Sequence, residues 1–132
     1  MKISPNATCP CHSKKKYKRC CAKYHKGAIA KNSLELMRSR YSAYALGDSK
    51  YIIKTTHPEN PDYTLDTDKW SQSIDIFTQQ SSFDGLEILE WIDGERESYV
   101  SFRATISNTI MIEKSRFVKE SGRWLYVDGV LS

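Results

Sequence analysis

The spacing of apolar positions changes period part-way along the chain. From Ser33 to Leu46, SLELMRSRYSAYAL, apolar residues recur at helical spacing, with Leu34, Met37, Tyr41 and Tyr44 or Ala45 on one stripe. Ser33 is the predicted N-terminal cap and Gly47 the C-terminal close. A second short helix is predicted from Asp48 to Thr56, with Tyr51, Ile52 and Ile53 facing inward. It ends at His57, because Pro58 disfavours helical backbone in the residue before it. Residues 58–65, PENPDYTL, read as a loop. A third helix is predicted from Asp66 to Thr78, capped by Asp66 or Thr67, with Trp70, Ile74 and Phe77 as its buried stripe.

Beyond that helix the period falls to two. Leu86 to Ile92 is predicted as a strand ended by an Asp93-Gly94 turn. Ser98 to Ile106 alternates, with Val100, Phe102, Ala104 and Ile106 on one face. Thr109 to Glu120 is a third strand, Ser121-Gly122 a hairpin turn, and Arg123 to Asp128 a fourth strand. Helices first and an antiparallel meander after them predict an α+β fold, about three helices packed on one face of a curved four-stranded antiparallel sheet.

The first thirty residues fit neither period. They are set apart by charge: residues 1–31 hold nine basic residues and no acidic one, whereas the remainder nets −5. Residues 22–32, AKYHKGAIAKN, read as a linker in which Gly27 breaks any helix. No apolar run approaches the roughly 20 residues of a membrane span, and Met1 to Thr8 lacks the apolar stretch of a signal peptide. The expectation is a cytoplasmic protein with reduced thiols.

All four cysteines of the chain lie within the segment CPCHSKKKYKRCC, at Cys9, Cys11, Cys20 and Cys21. A disulfide framework fits poorly: neither close pair bridges comfortably, and cross-pairing puts two bridges in one small loop. Four soft ligands converging on one ion fit better, with zinc expected and iron the alternative. With all ligands from protein, such a site is closed, so the ion holds structure and does not activate water. His12 and His25 are the alternative nitrogen ligands.

This segment resembles the SEC-C motif, the zinc-binding tail known from the SecA translocase: Cys-Pro-Cys-Gly-Ser, a basic and aromatic stretch, then Cys-Cys or Cys-His. The match implies Cys9, Cys11, Cys20 and Cys21 as ligands. His12 stands where the motif has Gly, which implies a left-handed or crowded backbone there. Further on, MRSRYSAYALGD, YIIKTTHP and EKSRFVKESGRWLYVDG resemble the YchJ family. That family joins a SEC-C knuckle to a cone-shaped domain like nuclear transport factor two. The resemblance implies a knuckle over residues 1–26 and a cone domain over 27–132. YchJ itself carries a second SEC-C motif at its C-terminus, absent from this sequence through Ser132.

A cone encloses a pocket between helices and sheet. The polar residues shared with the family are Arg38, Arg40, His57, Glu113, Ser115 and Asp128, together with Arg116. Tyr41, Tyr44, Phe117, Trp124 and Tyr126 are their aromatic company. Strand alternation puts Glu113, Ser115 and Phe117 on one face, pointing inward if Phe117 does. The plainest reading is a buried ion-pair network, with Arg38 or Arg40 neutralising Glu113 or Asp128 and His57 bonded to backbone. A ligand pocket is the alternative, as is an enzyme using Glu113, His57 and Asp128 as acid–base groups. No phosphate loop and no nucleophile elbow is present, and no catalytic residue is assigned.

The favoured functional expectation is a binding or adaptor module. Its basic knuckle docks on a protein, ribosome or RNA partner through Lys14, Lys15, Lys16, Lys18 and Arg19. A homodimer through the sheet is a further expectation, since cone domains often pair that way.

Overall fold

The computed structural model describes residues 3–132. After a 3-10 turn at Tyr17–Arg19 come four helices, α1 (Ala22–His25), α2 (Ser33–Leu46), α3 (Ser49–Lys54) and α4 (Thr67–Gln79). Four strands follow, β1 (Phe83–Ile92), β2 (Glu97–Ile106), β3 (Thr109–Glu120) and β4 (Arg123–Leu131). They form one antiparallel sheet in the order β1-β2-β3-β4. The class is α+β, as the change of period implied.

The two tight hairpins are built from left-handed residues. Ser107 and Asn108 (φ 51° and 64°) join β2 to β3, and Ser121 and Gly122 (φ 52° and 78°) join β3 to β4. Two consecutive left-handed residues give the turn whose twist matches that of the strands it joins. One face of the sheet then packs on the helices. Leu36, Met37 and Tyr41 of α2, Ile52 of α3 and Trp70 and Ile74 of α4 meet Val100, Phe102, Phe117 and Trp124 in one core.

Several local expectations are corrected. Ser33 does not cap α2. Asn32 does, its side chain accepting from the Glu35 N–H at 2.8 Å. Ser33 is already helical and wholly buried, and its hydroxyl bonds to Ser98 and accepts from the Trp91 indole at 3.0 Å. Phe77 is 44% exposed although it shares a stripe with Trp70 and Ile74. It stands at the mouth of a cavity, not over the sheet centre. β1 begins at Phe83 and β4 runs to Leu131, each three residues beyond the predicted limit.

The expected linker over 22–32 contains α1, a helix too short to show a period. Its Tyr24 is buried against the core and donates to Glu35 at 3.2 Å. Replacing core Leu36 by Ala is expected to lower stability by about 3 kcal/mol, by transfer and cavity terms together. Ile76→Ala, at a position 56% exposed, should change it by no more than about 0.5 kcal/mol. Urea unfolding followed by tryptophan fluorescence measures both.

Candidate metal centre and adjoining cavity

The N-terminal segment folds on itself before it meets the body. An isolated antiparallel bridge pairs Thr8 with Lys16, and Cys9 N–H donates to Lys15 C=O at 2.8 Å. Between them the chain reverses through two left-handed residues, His12 (φ 61°) and Lys14 (φ 72°). The positive φ at His12 is what the motif's usual glycine tolerates at no cost, and a histidine there carries strain. The 3-10 turn Tyr17–Arg19 then delivers Cys20, and Cys21 precedes α1.

These turns bring the four sulfurs within 4.8 Å of one another, with all four cysteines buried and unbridged. Cys11 Sγ lies 3.5 Å from Cys20 Sγ, and Cys20 Sγ 3.9 Å from Cys21 Sγ. A tetrahedral ion with Zn–S bonds of about 2.3 Å requires sulfurs roughly 3.8 Å apart. The donor set therefore fits a closed four-sulfur metal site. The thiols are strongly interdependent. Hydrogen bonds from Cys21 and Cys9 hold Cys11 far below the usual thiol range, while the bond to Cys11 pushes Cys9 up to about 12. Four thiolates this close repel one another, so holding all four ionised requires a cation at their centre.

The surrounding bonds tie the centre to α2. Arg38 donates to the Cys11 carbonyl at 3.1 Å and lies 3.9 Å from its sulfur. This corrects its place in the expected pocket: Arg38 sits about 100° round the helix from Met37, off the face that looks at the sheet. The Ser13 hydroxyl lies 3.2 Å from Cys20 Sγ. His25 is bonded at both ring nitrogens, to Tyr17 hydroxyl at 2.7 Å and to Ser39 carbonyl at 2.8 Å. His12 reaches the Phe83 carbonyl at 3.1 Å. Neither histidine joins the sulfur cluster. Both fasten it to the body, His12 also by an edge contact with Tyr41. Lys14, Lys15, Lys16, Lys18 and Arg19 are all exposed, and among the described residues none of them makes an ion pair.

Tyr41 and Phe83 also belong to the wall of a cavity of about 240 Å³ between α2, α4 and the sheet. Arg40, Tyr41, Tyr44, Glu113, Ser115, Phe117 and Tyr126, from the expected set, line it. Four others do not. Arg38 faces the sulfurs. His57 is held where its N–H donates to the Tyr126 carbonyl at 2.8 Å, and its ring bonds to Glu120. Trp124 packs into the core beyond the cavity. Asp128 lies on the opposite face of the sheet, in a forked pair with Arg116 at 3.1 Å. A bulge between Arg116 and Phe117 causes this: Phe117 sits opposite Tyr126 but Arg116 opposite Asp128, so two residues two apart in β4 face opposite ways.

Of the expected network only the bonding of His57 to backbone forms, its Nδ1 accepting from Glu59 N–H at 3.0 Å; neither Arg38 nor Arg40 pairs with Glu113 or Asp128. Glu113 Oε2 accepts from Ser115 and, at 3.0 Å, from Tyr126. The backbone of β4 makes room for it at Gly129, where a Cβ would stand 2.3 Å from Oε2. Arg40 donates instead to Ile52 carbonyl at 3.0 Å and to the hydroxyls of Thr55 and Thr56 at 2.7 and 3.1 Å. Its guanidinium lies 4.7 Å over the Tyr126 ring. Burial, then the neighbouring Glu113 charge, pushes the Tyr126 phenol well above its usual range, so it stays a donor. The rest of the lining is apolar. Phe102, Ala104 and Ile106 were legible as one strand face, whereas Phe83 lay before the predicted strand and carried no signal.

Comparison with known proteins follows this division. The family model for the YchJ middle NTF2-like domain matches residues 32–129, and that for the SEC-C motif residues 6–23. The chain belongs to the YchJ family. A UPF0225 protein of Streptomyces coelicolor is 36% identical over 132 residues, covering 95% of this chain and 96% of the relative. One from Pectobacterium carotovorum is 41% identical over 133 residues, covering 93% and 83%. The solution structure of a SEC-C motif containing protein from Rhodopseudomonas palustris has a TM-score of 0.80 at 31% identity, covering 96% of this chain and 99% of that one. A crystal structure of such a protein from Psychrobacter arcticus has a TM-score of 0.78 at 27% identity, covering 97% and 84%. The YchJ-family body thus has the NTF2-like fold, and its N-terminal cluster can bind a metal ion.

The bonds around the cluster predict its response to substitution. Arg38→Met, which removes the donor on Cys11, should weaken metal retention about tenfold. Cys20→Ser should weaken it more. Competition with a chromophoric chelator reads both.

Proposed function

We propose that this chain is a non-catalytic binding module in which a zinc ion holds Cys9, Cys11, Cys20 and Cys21, and whose basic knuckle docks on the phosphate backbone of a ribosomal or other RNA partner. In this reading residues 1–26 are the docking unit, 27–132 the body that carries it, and the setting is the cytoplasm, where thiols stay reduced. The observation that supports it is the placement of charge. Lys14, Lys15, Lys16, Lys18 and Arg19 are exposed and lack ion-pair partners among the described residues, while the four cysteines are no more than 8% exposed. Four thiolates and a divalent ion net −2, which leaves residues 1–31 strongly positive against a body of net charge −5. Such a face attracts a polyanion and releases its counterions.

Zinc suits a closed four-sulfur site, and elemental analysis of protein purified without added metal distinguishes it from iron. The docking reading is tested by cosedimentation with ribosomes over a salt series. Affinity should fall steeply between about 50 and 200 mM salt. A variant with glutamate at the five basic positions should lose binding while keeping its metal content. Binding indifferent to that reversal refutes the reading.

A further inference from the structure

The cavity holds two charged groups that the fold leaves without counter-ions. Arg40 is 7% exposed and bonded only to neutral oxygens. Glu113 is half-buried and bonded only to two hydroxyls. Among the described residues neither forms a salt bridge, although both line the same space. Tyr126 lies between them, its ring under the guanidinium and its hydroxyl on the carboxylate. Among the described residues every fully buried side-chain nitrogen or oxygen has a partner, so the Arg40 nitrogens that donate to nothing are not sealed off.

Charges removed from water favour a partner of opposite sign, and these two are kept apart by a ring. The group that satisfies both carries an ammonium and a carboxylate. The remaining wall, with Phe77, Phe83, Phe102 and Phe117, suits an apolar body. A volume of about 240 Å³ is below the ~300 Å³ at which drug-sized pockets begin, which limits the guest to a small molecule. Phe77 and Met111, only partly covered, leave the mouth open.

We propose that this cavity binds a small zwitterion with an apolar body, of the class of apolar α-amino acids, its ammonium on Glu113 and its carboxylate on Arg40. A simple amine leaves Arg40 unpaired and brings a second cation beside it. A simple acid sets its charge against Glu113. Gly129 belongs to the same site, since a side chain there would displace the Glu113 carboxylate.

The test is calorimetric titration of the full metal-loaded chain with L-phenylalanine, phenethylamine and 3-phenylpropionate. Phenylalanine should bind about tenfold tighter than either analogue, the worth of one charge-assisted hydrogen bond. Glu113→Gln should remove the preference over phenylpropionate. Gly129→Ala should do the same by driving the carboxylate aside, and it keeps the test open if the first variant does not fold. Equal affinity for the three probes, no saturable binding of any, or phenylalanine binding unaffected in whichever of these variants folds would overturn the proposal. Glutamates at the five basic knuckle positions should leave this binding unchanged, which separates it from docking.

Discussion

Four sulfurs packed within 4.8 Å of one another, against the flank of a helix, organise the N-terminal part of this protein. Every other feature of that segment serves the convergence. The left-handed backbone at His12 and Lys14 reverses the chain in few residues, the 3-10 turn returns it, and Arg38 neutralises the side of Cys11 that faces the body. A cluster of thiols has little apolar surface of its own, so a bound ion would supply the cohesion that a core supplies elsewhere. The segment is not a free projection. His12, His25 and Tyr24 fasten it to Phe83, Ser39 and Glu35, so the knuckle and the body share a wall.

That shared wall connects the metal centre to the cavity. His12 touches Tyr41 and holds the carbonyl of Phe83, and Tyr41 in turn donates to Gly85 at 2.9 Å. Two lining residues are therefore positioned from outside by the cysteine-bearing segment. At the far end the polar groups are positioned by strand pairing. Thr55 and His57 exchange backbone bonds with Tyr126, which sets the ring of Tyr126 between Arg40 and Glu113. The fold thus fixes a carboxylate and a guanidinium in one apolar space without letting them meet.

The strongest signals in the sequence were periodic or compositional. Helix α4 was legible because its apolar stripe spans three turns, with Asp66 the one of its two expected caps that forms; α2 was legible in extent, but its buried face, with Ser33, Leu36, Ser39, Arg40 and Ser42, reaches well beyond the expected stripe. The sulfur cluster was legible because four cysteines in thirteen residues have few other uses. Short helix α1 was not, since four residues cannot display a period. The assignment of Asp128 to the pocket failed for a different reason. It rested on resemblance, which does not say which way a side chain faces, and the bulge opposite Phe117 turns Asp128 to the far side of the sheet from Tyr126.

The amino-acid sequence by itself determined the helices-then-strands order of the body, the clustering of four candidate metal ligands and the segregation of positive charge, because each follows from side chains close together along the chain. Tertiary structure alone decided which of Arg38, Arg40, His57 and Asp128 face one another. Their relation depends on a helix rotation, a strand bulge and a bridge between residues 56 and 126, all of which are set by packing across long loops. It also decided that Glu113 and Arg40 share a cavity without an ion-pair partner among the described residues, which no local pattern carries.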